Sequence, residues 1–283
     1  MILIAGSTGR VGSEVVDQLV RAGHRVRVLV RAIKDAEWDA TVDVAIGDLD
    51  NVDSLVTAMT GVDRVYMLAP LSPALEEHDQ NLVAAARRAG VDRIVKHSVL
   101  GAQWEDIALA RWHRAGERLV EASGAQWTFV RPSPLFDNAR GWATTIRRAG
   151  AAYVATGEGK AGIVDARDVA AVAVKCLIEP GHAGKAYDVT GPDALSAREQ
   201  VEAIGRAIGR PIKLVEVPPA AVRDVMHGTP PRIADALLEL AAAIKAARYA
   251  TVTAAVQRLT GKTPRTFAEW ATENAGTFSA ESR

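Results

Sequence analysis

The sequence predicts an α/β fold: a Rossmann-like parallel sheet with helices on both faces and a smaller C-terminal α/β region. Three observations predict it. Strand-like and helix-like segments alternate with short breaks through the first 138 residues, the pattern of a parallel sheet covered on both faces. The chain opens on the apolar run Met1-Ile2-Leu3-Ile4-Ala5, followed at once by Gly6-Ser7-Thr8-Gly9-Arg10-Val11-Gly12 and an amphipathic stretch, Ser13 to Val20. A second strand over 25–30 then completes a βαβ unit of ordinary length.

The remaining elements follow in order. Residues 42–46 read as a third strand, ended by Gly47-Asp48-Leu49-Asp50, and 52–59 as a short helix. A fourth strand covers 64–68, and Ala69-Pro70-Leu71-Ser72-Pro73 makes a rigid loop at its carboxyl end. A helix over 75–89 stops at Gly90. Residues 93–97 form strand five, 107–123 a helix stopped by Gly124, and 127–131 strand six. Pro132 and Pro134 end that strand, because each lacks the N–H that a ladder needs.

Beyond Asn138 the rhythm loosens. Helices are expected over 140–148, after Asp165 or Asp168 as a cap, and over 196–208 with Ser196 and Glu199 in capping-box spacing. Short strands are expected over 151–155, 185–189 and 213–217, and helices over 220–227, 233–247, 252–259 and 267–274. The expected organisation is a dinucleotide-binding domain over 1–138 and a smaller substrate-side region over 139–283, interleaved with the first.

Bulk composition narrows the class. A hydrophobic content of 48% supports a large core, and 34 basic residues balance 34 acidic ones. No global field therefore draws in nucleic acid or a membrane surface. A single cysteine, Cys176, excludes an intrachain disulfide and reads as a packing thiol in an apolar helix. No apolar run approaches membrane-spanning length, and the first strand leaves no room for a signal peptide, so a cytoplasmic protein is expected.

The glycine motif carries the first chemical inference. A tight turn needs one residue without Cβ, and close approach of the backbone to a pyrophosphate needs another. The following helix start then offers unpaired N–H groups and a positive dipole end to phosphates. The residues expected at such a dinucleotide are Gly6, Thr8, Gly9, Arg10, Val11 and Gly12. About 20 residues on, an Asp or Glu holds a ribose 2′-hydroxyl, whereas a 2′-phosphate takes Arg. The chain has Arg31 there with Lys34 behind it, which favours NADP over NAD. Asp48 is placed to accept the adenine amino hydrogen with Leu49 over the ring; a turn-forming Asp is the alternative. Leu68, Ala69 and Pro70 are expected to pass beside the adenosine ribose and the nicotinamide half, and His97 adds a polar group at the same edge.

Strand one with its glycine loop, Arg31, Gly47-Asp48-Leu49, Lys96-His97-Ser98 and Phe129-Val130-Arg131-Pro132 recur in the order seen in one family. The chain resembles the NmrA-like atypical short-chain dehydrogenase/reductases, especially the NADPH:quinone oxidoreductase branch. Looser likenesses at Gly157-Glu158-Gly159-Lys160, Val164 to Ala170 and Gly184 to Gly191 carry it across nearly the whole chain. The resemblance implies NADP as cofactor and Ser98 at the position of a substrate-polarising hydroxyl. It also exposes a departure. Where the larger superfamily has a Tyr and a Lys four residues later, this chain reads Trp112-His113-Arg114-Ala115-Gly116-Glu117.

His113 and Glu117 fall at i, i+4 on one helical face. A carboxylate beside an imidazole would raise its pKa toward neutrality and make it a general acid; an ordinary surface pair is the alternative. No third ligand is spaced to join them around a metal. The expected catalytic set is His113, Ser98 and Glu117. Trp112, Pro132, Ser133, Phe136 and Asn138, with Trp104 and Trp142 as further flat surfaces, are expected to wall an apolar site suited to aromatic or quinonoid ligands.

Three functions stay open on these residues, and a fourth, an epimerase or dehydratase, lacks the usual Tyr. The first is a reductase of quinones or related aromatic carbonyls. The second is an NADP-sensing regulator without turnover, and the third an oxygenase-type or reductive tailoring enzyme of aromatic polyketides. A homodimer is compatible with all three.

Overall fold

The computed structural model describes residues 1–32, 38, 40–226 and 228–279. Two compact units emerge, Met1–Pro132 with Val169–Asp188, and Ser133–Asp168 with Val189–Arg283. The division falls after Pro132 rather than Asn138. Val169–Asp188 goes with the first unit because it supplies most of a helix, Ala166–Ile178, and a strand, Lys185–Val189, to that unit's sheet.

In the first unit, β1 (Ile2–Ile4), β2 (Val26–Val30), β3 (Asp43–Ile46), β4 (Arg64–Met67), β5 (Arg93–His97) and β6 (Gln126–Pro132) share one sheet with Lys185–Val189. The order is β3-β2-β1-β4-β5-β6, then Lys185–Val189. Pairings from β3 to β6 are parallel, with Leu3 opposite Arg27 on one side and Val65 on the other. The chain builds outward from β1 in one direction and then in the other, so the strand order reverses between β1 and β4. That reversal opens a crevice at the carboxyl ends of the strands.

The connecting helices are α1 (Arg10–Arg21), α2 (Val52–Ala58), α3 (Leu75–Ala89) and α4 (Ala108–Glu121). β1 is buried along its whole length, which explains its continuous apolar run. Leu3, Leu55, Met59, Met67, Leu82 and Phe129 form the heart of one apolar cluster under α2, α3 and α4. β3 lies at the open edge, where Val44 and Ile46 are exposed. Charged residues at the opposite, amino edge are engaged: Arg64 and Arg93 donate to the Leu177 carbonyl at 2.8 and 3.1 Å, holding the end of Ala166–Ile178. Cys176 is buried, as a packing thiol should be, and burial pushes its pKa up to about 12.

The second unit holds two small sheets. Ala151–Val154 pairs in parallel with Lys213–Glu216, and Lys160–Ala161 pairs antiparallel with Leu195–Ser196. The latter two are two-residue strands, too short for any periodicity to show. The helix expected from 140 begins as a 3-10 segment, Phe136–Trp142, and becomes α-helical over Ala143–Ala149. Ser196 and Glu199 form the expected capping box. Asp165 is the cap for Ala166–Ile178, accepting from the Arg167 N–H at 2.8 Å. Among the described residues no helix is long and apolar enough to cross a membrane.

Candidate functional site

The glycine loop leaves β1 at the strand-order reversal and enters α1. Its three glycines do different work. Gly6 has φ +74°, and a Cβ there would meet the Leu68 carbonyl oxygen at 2.6 Å, so the turn against the end of β4 requires it. Gly12 lies in the first turn of α1, where a Cβ would meet the Gly6 carbonyl oxygen at 2.0 Å. Gly9 differs. It has ordinary extended backbone, φ −84° and ψ 167°, and a Cβ would meet only the Gly6 oxygen, at 3.3 Å. Within the protein, position 9 is the least crowded of the three.

Around it, Thr8, Gly9 and Arg10 are exposed. Val11 turns its side chain into the core, so only its backbone faces the loop. Buried Ser7 ties the loop to β2 by donating to the Leu29 carbonyl at 3.3 Å. α1 begins with no capping side chain and no acid in its first turn. Its N–H groups and dipole therefore face the loop without an internal anion. An open cradle at Gly9 beside uncapped helix N–H groups fits the pyrophosphate of a dinucleotide.

The neighbouring strand ends extend this edge. Arg31, just past β2, is exposed and has no ion-pair partner among the described residues, whereas Lys34 lies outside them. Asp48 takes up the turn role: its Oδ1 accepts from the Asp50 N–H at 3.1 Å, and its backbone N–H donates to Ser54 Oγ at 3.0 Å. Leu49 packs half-buried on the core cluster. Beyond β4, Leu68 backs the glycine loop, Ala69 is buried and Pro70 is exposed.

The corner between β5 and α4 is arranged otherwise. Ser98, fully buried, donates its hydroxyl to Glu117 Oε1 at 2.7 Å. Arg131, near the end of β6, grips the same carboxylate with Nε on Oε1 and Nη2 on Oε2, both 2.7 Å. Arg114 adds a third cationic contact at 3.1 Å and also reaches Glu121 at 2.9 Å. Gln103 accepts from Arg131 Nη1 at 2.8 Å. Glu117 is thus not a base beside His113, and Ser98 points its proton inward.

His113 overturns the pKa expectation. It is buried, its Nδ1 has no hydrogen-bond partner, and its pKa lies well below the ordinary value. Burial is the main cause, followed by the charge of Lys96. Helical spacing brought His113 and Glu117 to one side, but two arginines and a serine claimed the carboxylate. Lys96 is itself buried and pairs with buried Asp79 of α3 at 2.6 Å. Gly116 makes room for that pair, since a Cβ would stand 2.1 Å from Asp79 Oδ2. His97, half-buried, meets the hydroxyl of fully buried Tyr66 through Nδ1 at 2.7 Å.

Several residues expected at the substrate have other work. Trp112 packs against the core cluster of the first unit. Pro132 is buried at the end of β6. In the second unit, Phe136 is almost fully buried, edge-on to Phe267 with centroids 5.3 Å apart. Ser133 is buried there and donates to the Gly162 carbonyl. Phe136 and Ser133 are packing groups because the chain after Pro132 dives into that unit's core. Asn138 and Trp104 are exposed, and Trp142 is half-buried. Tyr66, Arg131 and Asp79 were not singled out from the sequence. A signal existed for two members of these pairs: Lys96 and Arg131 are cations directly after the apolar pairs Ile94-Val95 and Phe129-Val130.

Comparison with known proteins agrees with this geometry. The NAD(P)H-binding family matches residues 6–180, more than half the chain. The NAD(P)H azoreductase of Xenophilus azovorans is 40% identical over 285 positions, covering 99% of this chain and 100% of that one. The (4-alkanoyl-5-oxo-2,5-dihydrofuran-3-yl)methyl phosphate reductase of Streptomyces griseus is 39% identical with the same coverage. Among solved structures, the NADPH-dependent quinone oxidoreductase QOR2 of Escherichia coli, complexed with NADPH, has a TM-score of 0.87 at 24% identity. That likeness of fold covers 96% of this chain and 99% of that one. A strand-order reversal carrying an open glycine loop agrees with these full-length matches, and the chain belongs to the NAD(P)H-binding family.

Proposed function

We propose that this NAD(P)H-dependent oxidoreductase uses NADPH to reduce quinones and related conjugated aromatic acceptors, azo compounds among them. The observation that carries the reading is the closed corner between β5 and α4. Ser98 gives its proton to Glu117, Glu117 is held by Arg131 and Arg114, and no Tyr-Lys pair stands in α4. A side chain committed in this way does not protonate a substrate. The acceptor that suits such an edge is one whose reduced form is stabilised by its own conjugation, with the proton taken from water.

When bound, the reduced nicotinamide supplies the hydride. The chain binds and orients: the Gly9 cradle and the start of α1 take the pyrophosphate, and exposed Arg31 supplies a fork for a 2′-phosphate. Likeness to an azoreductase at 40% identity supports an acceptor of this class. The test is a panel of benzoquinones, naphthoquinones and azo dyes mixed with protein and NADPH, followed by loss of the reduced-nicotinamide absorbance above the uncatalysed rate. If NADPH binds and no acceptor consumes it, with or without oxygen, the reductase reading fails and a cofactor-sensing regulator replaces it.

A further inference from the structure

Tyr66 and His97 sit side by side on β4 and β5, and the mechanism so far uses neither as a pair. Lys96 points to the face carrying Asp79 and Gly116, so by strand alternation His97 points to the other face, where Tyr66 lies. The Tyr66 ring is fully buried, and its hydroxyl has one hydrogen-bond partner among the described residues, His97 Nδ1 at 2.7 Å.

That single contact decides the direction of the bond. A phenol oxygen carries one proton. If His97 Nδ1–H donated to Tyr66, the phenol proton would be buried with no acceptor, which is unfavourable. If the hydroxyl donates to Nδ1, every buried polar atom of the pair is satisfied. A phenol is also a stronger donor than a neutral imidazole N–H, and an imidazole nitrogen the stronger acceptor. Nδ1 is therefore the bare nitrogen, and the ring proton sits on Nε2. An imidazolium is excluded by the same logic, since it has no lone pair left for Tyr66. Burial acts in the same direction, holding His97 down to about 3 and Tyr66 above its usual value. Nε2 has no partner within the described chain and is not among its buried unpaired atoms.

We propose that Tyr66 fixes His97 as its Nε2–H tautomer, so that His97 offers a neutral N–H donor at the carboxyl edge to the acceptor oxygen of a bound quinone. The quinone half of this statement rests on the reductase reading; the tautomer does not. In it His97 touches the acceptor, and Tyr66 is a positioning residue acting through His97. A neutral donor strengthens its bond as charge grows on the acceptor oxygen, and it gives up no proton.

The test uses the full-length protein with 15N-labelled histidine rings, the His97 signals being assigned by their loss in His97→Gln. Nδ1 is expected to show the shift of an unprotonated nitrogen and Nε2 that of a protonated one. Tyr66→Phe, which keeps the ring, is expected to convert this into a mixture of tautomers. A protonated Nδ1 in the unaltered protein overturns the proposal. With NADP⁺ bound, so that no turnover is needed, addition of 1,4-naphthoquinone is expected to move the Nε2–H signal. If NADP⁺ alone moves it and the quinone adds nothing, the donor serves the cofactor and the proposal fails. In turnover, His97→Phe is expected to lower kcat/KM for the quinone roughly tenfold or more, and Tyr66→Phe severalfold, with NADPH affinity unchanged in both. Absence of turnover with every acceptor would sink the reductase reading while leaving the tautomer result standing.

Discussion

The glycine loop and the β5–α4 corner lie at the same carboxyl edge of one sheet, yet they dispose of their polar groups in opposite ways. At the loop, α1 starts without a capping side chain or a first-turn acid, and exposed Gly9 keeps its outer side open. At the corner, both oxygens of Glu117 are bonded by Ser98, Arg131 and Arg114. The difference separates two kinds of polar cluster that look alike in a sequence. Groups left unsatisfied by the fold await a ligand, and groups that satisfy one another hold the fold.

The largest effect should come from breaking the closed corner. Glu117→Ala takes from the Arg131 side chain, only 12% exposed, the carboxylate that accepts two of its hydrogen bonds. The expected loss is about 3–5 kcal/mol, the usual cost of removing one member of a buried ion pair. Denaturant titration measures it, and a loss below about 1 kcal/mol would mean that the corner is not a holding element. NADPH affinity of the folded fraction should stay close to that of the unaltered protein.

The glycines of the loop sharpen the comparison within a single turn. Gly12→Ala places a methyl 2.0 Å from the Gly6 carbonyl oxygen, so backbone must move. A destabilisation of about 3 kcal/mol is expected. Gly9→Val puts its Cβ 3.3 Å from the Gly6 carbonyl oxygen, a single tight contact, and is expected to cost less stability than Gly12→Ala. It should nevertheless abolish dinucleotide binding, by filling the cradle. Calorimetry for binding and thermal melting for stability would separate the two variants. Equal losses of stability would make Gly9 a structural glycine like its neighbours.

How much of this was legible beforehand follows the same division. The strand-loop-helix opening, the strand ends and the Ser196 cap were readable because each depends on neighbours within a few residues. Periodicity also placed His113 and Glu117 on one helical side. It could not tell that Arg131, on another strand, would take the carboxylate, or that Tyr66 would meet His97. Those are contacts between elements far apart in the chain, and no local pattern encodes them. Phe136 failed for a related reason: an aromatic after a Pro-Ser-Pro break looks the same whether it lines a site or enters a core. The two-residue strands Lys160–Ala161 and Leu195–Ser196 are too short to have a pattern at all.

A smaller effect separates the corner's titration from a catalytic one. His113 and His97 both have pKa values lowered by burial, His97 to about 3. Below an unfolded value of about 6.5 the unfolded chain binds protons that the folded chain refuses, so stability rises with pH across that window. Their contribution is full above about pH 6.5 and is lost as the pH falls, by about 2 kcal/mol for His97 between about pH 7 and pH 5. His113→Phe is expected to remove its share of that slope in denaturant titrations at the two pH values. It should introduce no change in the pH dependence of turnover near neutrality. A turnover inflection near neutrality that disappears in the variant would restore His113 as a proton donor.

The mildest change tests the open side at its outer end. Arg31 is exposed, so Arg31→Asp is expected to change the melting temperature little. An aspartate repels a 2′-phosphate but accepts a hydrogen bond from a 2′-hydroxyl. NADPH binding is therefore expected to weaken tenfold or more, about 1.4 kcal/mol or more, while NADH binding stays level or improves. The ratio of the two dissociation constants is the decisive quantity, because it cancels any general damage to the loop. If the ratio in the unaltered protein is already close to unity, Arg31 is a solvated strand-end charge. The open edge would then end at the pyrophosphate.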